Sequence, residues 1–155
     1  MSLPPLPPSP PLAPRPCAVI DTNVLMDWLV FRNPGCTPLV AALEAGRLQW
    51  IATQSMRDEL AHVLGRGVAS TYSPDHALID DAWIRWARIV EPPLPTLVPR
   101  LRCTDRDDQK YIDLALHGAR WLITRDRAVL KLGKRAAALG VVFTTPERWT
   151  PPPEA

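Results

Sequence analysis

Cys17-Ala18-Val19-Ile20-Asp21-Thr22-Asn23 decides how this chain folds. An apolar run that stops at an acid and two small polar residues is the pattern of a parallel strand buried on both faces, with its carboxyl end opening onto a crevice. Three more stretches share that character: Leu48 to Thr53, Arg120 to Thr124 and Gly140 to Thr144. Each is too short for a helix and shows no apolar–polar alternation, so each is predicted as a buried strand. Helical patterns lie between them. Thr37 is placed to cap a helix with Pro38 at its first position, and Gly46 closes it. Ser55 and Asp58 form a capping pair for the next helix, which Gly65 ends. From Asp75 to Ile89 apolar residues recur at intervals of three and four, as on an amphipathic helix. Four prolines between Glu91 and Pro99 then predict an extended passage across the edge of the sheet. Strands alternating with helices predict one α/β sandwich around a central, mainly parallel sheet.

A set of acids falls at or near the ends of these elements: Asp21, Glu59, Asp105, Asp107, Asp108 and Asp126. Strand ends in an open parallel sheet share one crevice, so acids far apart in sequence can converge there. Convergent carboxylates repel one another unless a hard divalent cation neutralises them, and Mg²⁺ or Mn²⁺ prefers oxygen ligands. Helix geometry sorts the acids further. Glu59 lies about 40° from Val63, at the margin of the face formed by Met56, Leu60, Val63 and Leu64, whereas Asp58 points away. Asp108 falls on the stripe of Tyr111, Ile112, Ala115 and Leu116, and Asp113 faces outward. Asp21, Glu59, Asp108 and Asp126 are therefore the expected metal ligands, with Asp105 next in order. Helix capping competes as the explanation for Asp108 and Asp126, but it explains neither an acid ending a strand nor Glu59 inside a helix. Thr22, Asn23 and Thr124 can support the acids, or serve as turn and cap residues. Arg125 and Arg127 can hold phosphate or pair with the acids. Tyr111 and the tryptophans read as core and not as base-stacking platforms, except Trp28 and Trp149, which the pattern does not assign.

In order and spacing, Val19-Ile-Asp-Thr-Asn-Val-Leu25, Glu59-Leu60, Thr104-Asp-Arg-Asp-Asp-Gln-Lys-Tyr-Ile112 and Trp121-Leu-Ile-Thr-Arg-Asp-Arg-Ala-Val-Leu130 resemble the motifs of PIN-domain ribonucleases. The closest resemblance is to the VapC-like toxin branch of bacterial toxin-antitoxin pairs, over roughly Cys17 to Trp149. It implies a PIN-like three-layer sandwich and a Mg²⁺- or Mn²⁺-dependent endoribonuclease acting on RNA. It also implies a cognate antitoxin that blocks the site, often by inserting a basic residue among the acids. Gln109 departs from the pattern, standing where such relatives often carry an acid or Asn. That departure motivates the alternative reading, a catalytically degenerate PIN fold serving as an RNA- or protein-binding scaffold.

The remaining features set bounds. With 155 residues and 46% hydrophobic content, the chain supports one compact domain, expected over residues 17–149. Residues 1–16 hold eight of the 19 prolines and read as a disordered polyproline tail without the unbroken apolar stretch of a signal peptide. Residues 150–155 form a short C-terminal tail. Three dispersed cysteines argue against a zinc site or a disulfide framework and fit a reducing cytoplasm. No run is long enough to cross a membrane, and oligomeric state is left open, a homo-oligomer included. Residues 100–148 carry 11 of the 18 Lys and Arg against six of the 16 acids, a basic region suited to a polyanion or simply a solvated face. Glu59-Leu-Ala-His62 has the spacing of a di-iron helix, but no second such pair exists. Asn23 stands where a phosphoaspartyl phosphatase needs its second Asp, and no GxxxxGK[ST], GxGxxG or GxSxG is present.

Overall fold

The computed structural model describes residues 3–4, 15–67, 69–98 and 101–151. Most of the proline-rich tail and of the C-terminal tail therefore lies outside the described residues. The elements run β1 (Cys17–Ile20), α1 (Thr22–Leu29), α2 (Thr37–Glu44), β2 (Gln49–Ala52), α3 (Gln54–Gly65), α4 (His76–Trp86), β3 (Ala87–Ile89), α5 (Arg106–Gly118), β4 (Trp121–Ile123), α6 (Arg127–Leu130), α7 (Gly133–Ala138) and β5 (Val142–Thr144). Single 3₁₀ turns occupy Pro34–Cys36, Ser70–Tyr72 and Pro95–Leu97.

All five strands pair in parallel, in the order β3-β2-β1-β4-β5, which is the α/β sandwich expected from the sequence. The order explains the position of the site. From β1 the chain builds outward to β2 and β3, then returns to the other side of β1 for β4 and β5. The reversal falls between β1 and β4, and a crevice opens where the connections leave those strands in opposite directions. Ile20 pairs with Ile123, so Asp21 and Thr124, the next residues along, emerge side by side at that crevice.

The core explains why the strand runs are so uniformly apolar. Ala18, Val19, Trp50, Leu122 and Ile123 are fully buried, as are Ile112 and Ala115 on α5, which packs against β1 and β4. Each large aliphatic side chain removed from water contributes about 1.5–3 kcal/mol. A tryptophan cluster closes one flank, with Trp50 at 5.6 Å from Trp28 and 4.3 Å from Trp83 between ring centroids, while Trp149 packs edge-on against Trp121.

Several boundaries differ from the sequence expectation. The helix expected to reach Ile89 stops at Trp86, where Ala87 turns extended and begins β3 beside β2. Trp83, Trp86 and Val90 continue the helical spacing and so conceal the change. Being an edge strand, β3 leaves Arg88 and Ile89 exposed and carries no buried-strand signature. The passage after it is not extended throughout, since Pro95–Leu97 forms a 3₁₀ turn. Thr53, not the Ser55–Asp58 pair, caps α3 by accepting from the Met56 amide. Cys36 occupies the cap position of α2, one residue before Thr37, and Gly46 follows that helix at φ +71°, a conformation costly for side-chain-bearing residues. Asp126 caps α6, which ends at Leu130.

Candidate metal centre

Asp21 follows β1 at the N-cap position of α1, yet its side chain makes no capping hydrogen bond. Instead Asp21 Oδ2 accepts from the Thr124 hydroxyl at 2.7 Å. Only 5% of Asp21 is exposed, and burial, with smaller contributions from Glu59 and Asp126, raises its pKa to about 6 despite the hydrogen bonds that favour its charge. Thr124 is wholly buried, and its Oγ1 also accepts the Asp126 amide at 3.1 Å. One hydroxyl thus ties the two strand ends together.

On α5 the helical wheel placed Asp108 inward, and the side chain is 9% exposed in the first turn. Asp108 does not cap this helix. Asp105 does, accepting from the Asp107 amide at 2.9 Å. Oxygens of Asp105, Asp108 and Asp126 lie within 4.8 Å of one another. Asp108 Oδ2 is buried without a hydrogen-bond partner, and burial together with Asp126, Asp21 and Asp105 drives its pKa well above the carboxylate range. An orphaned buried carboxylate oxygen facing other acids is costly unless a proton or a cation sits between them. The all-oxygen donor set fits Mg²⁺ or Mn²⁺.

Glu59 stands apart from these three acids, next to Asp21. Its Oε2 receives the Thr22 hydroxyl at 2.5 Å and the Tyr111 hydroxyl, and its Oε1 pairs with Lys110 Nζ at 3.1 Å. Burial pushes its pKa up, but these three donors outweigh burial and hold it below the ordinary value. Tyr111, assigned to the core on sequence grounds, is 1% exposed and also supplies a hydroxyl that fixes Glu59 and contacts Thr22. Its own pKa is pushed far up by burial and by that carboxylate.

The two arginines separate. Arg125 is bound to Asp27 of α1 and, by two nitrogens at 2.5–2.8 Å, to Glu147, so it ties α1 to the segment after β5. The Glu147 hydrogen bonds, above all, raise its pKa. Glu147 in turn presses on the backbone at Gly35, where an added Cβ would lie 2.5 Å from its Oε1. Arg127 is exposed on α6, and Asn23 is exposed on the first turn of α1. Gln109 faces the preceding loop. Its Oε1 accepts from the Cys103 amide at 2.7 Å, and its Nε2 donates to Leu101 O at 2.8 Å and to Asp113 at 2.9 Å. Asp113 is half-buried in that arrangement, not fully outward. His62 is exposed, and all three cysteines are free.

The PIN domain family profile matches residues 17–128, most of the chain, with Asp21, Glu59, Asp105, Asp108 and Asp126 all inside the match. The chain is a member of the PIN domain family. No curated protein and no solved structure matched it significantly. PIN membership points to nuclease chemistry, and the acid cluster is compatible with the divalent metal that PIN domains generally use. Among the described residues, no helix is long and apolar enough to cross a membrane.

Sequence reasoning did not find Lys110, Asp27 or Glu147. For Lys110 a signal existed, since it lies between Asp108 and Tyr111 on a helix already placed at the site. None existed for Asp27 and Glu147, whose partner Arg125 is 98 and 22 residues away.

Proposed function

We propose that this PIN domain is a Mg²⁺- or Mn²⁺-dependent endoribonuclease and serves as the toxin of a toxin-antitoxin pair. The observation that carries the metal dependence is the buried, partnerless Asp108 Oδ2 beside Asp105, Asp126 and Asp21. Asp105, Asp108 and Asp126 would hold the ion, with Asp21 alongside. When bound, such an ion supplies an activated water and charge stabilisation for phosphodiester hydrolysis that leaves a 5′ phosphate.

The protein's own groups prepare that chemistry. Thr124 orients Asp21 and favours its ionised form, while β1 and β4 fix the two strand ends on a rigid sheet. Arg127 and the excess of Arg and Lys after residue 100 would attract the phosphates of RNA. A groove of about 400 Å³, lined by Met56, Ile89, Val90, Pro92 and Lys110, offers apolar surface to a base. The same acidic crevice would accept a basic side chain from an inhibitory antitoxin, which supports a protein partner of that kind.

The scaffold alternative rested on Gln109. That side chain is committed to Leu101, Cys103 and Asp113, so its identity does not deplete the acid cluster. The test is incubation of mixed RNA with the purified chain and Mn²⁺, with and without EDTA, beside Asp126→Asn. Products that require both the metal and Asp126 support the reading. Their absence in every condition favours the scaffold alternative instead.

A further inference from the structure

The acids divide into two halves of opposite character. Around Asp108 four carboxylates, Asp21, Asp105, Asp108 and Asp126, meet with a buried oxygen left unpaired. Around Glu59 both carboxylate oxygens are paired. A carboxylate offers about four acceptor positions, and Glu59 fills three of them with Thr22, Tyr111 and Lys110. Lys110 is about one-third exposed and Glu59 about one-quarter, so their attraction is only partly screened by water.

From this asymmetry, and on the metal-dependent reading proposed above, we infer that Lys110 is a built-in counter-cation occupying the place of a second metal ion, so that the centre holds one divalent ion. A two-ion centre needs oxygen ligands for both ions, about 3.5–4 Å apart. Glu59 is the acid left to serve the second, and its Oε1 is already paired with Lys110. A dication binding there would come up against an ammonium group carried on the same helix as Asp108. A lysine at this position costs no ion binding from solution and keeps Glu59 oriented toward Thr22, immediately beside Asp21. Lys110 also lies 5.5 Å from the centroid of the Tyr111 ring, which favours the ammonium where it stands. It is a positioning residue, acting through Glu59.

The experiment counts bound Mn²⁺ by electron paramagnetic resonance and calorimetry on the full chain. The wild type should bind one ion. Lys110→Gln removes the charge and leaves Glu59 without its cation, and should bind two. The double variant Lys110→Gln with Glu59→Gln should return to one. Lys110→Arg keeps a cation and should stay at one, which guards against a result caused by general disruption of α5. Two ions in the wild type, or one in Lys110→Gln with a cooperative melt, overturns the inference while leaving the metal-dependent reading intact. No ion in the wild type overturns that reading itself.

Discussion

Thr124 donates its hydroxyl to Asp21 Oδ2 at 2.7 Å across the gap between β4 and β1, joining residues 103 apart in sequence. The register of the two strands enforces the contact, because Ile20 opposite Ile123 leaves the next residues facing each other beyond the sheet. A buried carboxylate at a strand end is thus held in orientation by a hydroxyl of the neighbouring strand end. Thr124→Val keeps shape and loses the donor, whereas Thr124→Ser keeps it. The valine variant should bind Mn²⁺ about 10- to 100-fold more weakly by calorimetry, and serine should restore most of the affinity. Wild-type affinity in the valine variant would show that this hydrogen bond is only structural.

Asp21→Asn and Asp126→Asn should each lower RNA cleavage by at least about a hundredfold without loss of the fold, since each removes a charge the metal requires. Thermal melts in EDTA should be unchanged or higher, because the mutual repulsion falls. Asp113→Asn is the control, as an amide oxygen can still accept from Gln109. Equal cleavage by either of the first two variants would remove that residue from the site.

The raised acids make the metal-free protein sensitive to pH in a defined direction. A carboxyl group whose folded pKa exceeds its unfolded value binds its proton more tightly when folded, so its contribution favours folding at low pH and is lost as pH rises. For Asp21 that loss runs from about 3.8 to about 6, and Asp108 extends it upward. Melting temperature in EDTA should therefore fall across this range, and Mn²⁺ should restore it above pH 6. Asp108→Asn should flatten the slope in EDTA. A melting temperature that rises steadily through the same interval would contradict the electrostatic account of the cluster.

The continuous apolar runs of β1, β2 and β4 were legible because strands covered on both faces leave no polar alternation to misread, and β5 was legible because its run stays apolar even though Val142 is exposed at the sheet edge. β3 was not, for an edge strand three residues long inherits the spacing of the helix before it. The inward turn of Asp108 followed from α5 periodicity, since neighbouring positions on a helix fix a side chain's direction. Asp105 was harder to place, because a loop residue has no period, and its proximity to Asp126 is a tertiary fact. For Lys110 the sequence offered only its place on α5 between Asp108 and Tyr111; its pairing with Glu59 depends on how α3 and α5 meet, 51 residues apart. Trp28 and Trp149 had no sequence assignment and prove to be packing residues.

Gln109 and the arginines give two checks on the division between structural and binding roles. Gln109→Ala removes two hydrogen bonds to the 101–103 loop and one to Asp113, and should destabilise the fold by about 1–3 kcal/mol in denaturant titration while leaving Mn²⁺ affinity nearly unchanged. A large loss of metal affinity at unchanged stability would place Gln109 in the metal centre.

Arg125→Ala should lower the melting temperature, because it frees Asp27 and Glu147 together. Arg127→Ala should leave the melt alone, weaken RNA binding and reduce the salt dependence of that binding by about one ion. Opposite behaviour of the two variants would exchange their roles.

The most direct test of the central claim is the anomalous scattering of Mn²⁺ in crystals of the full chain. The ion should appear bonded to Asp108 Oδ2 at about 2.1 Å, with Asp126 in the same coordination sphere and Asp21 and Asp105 completing the acidic wall. Crystals saturated with Mn²⁺ that show no ion at Asp108, or that show Asp108 protonated and bonded to Asp126 instead, would contradict the account.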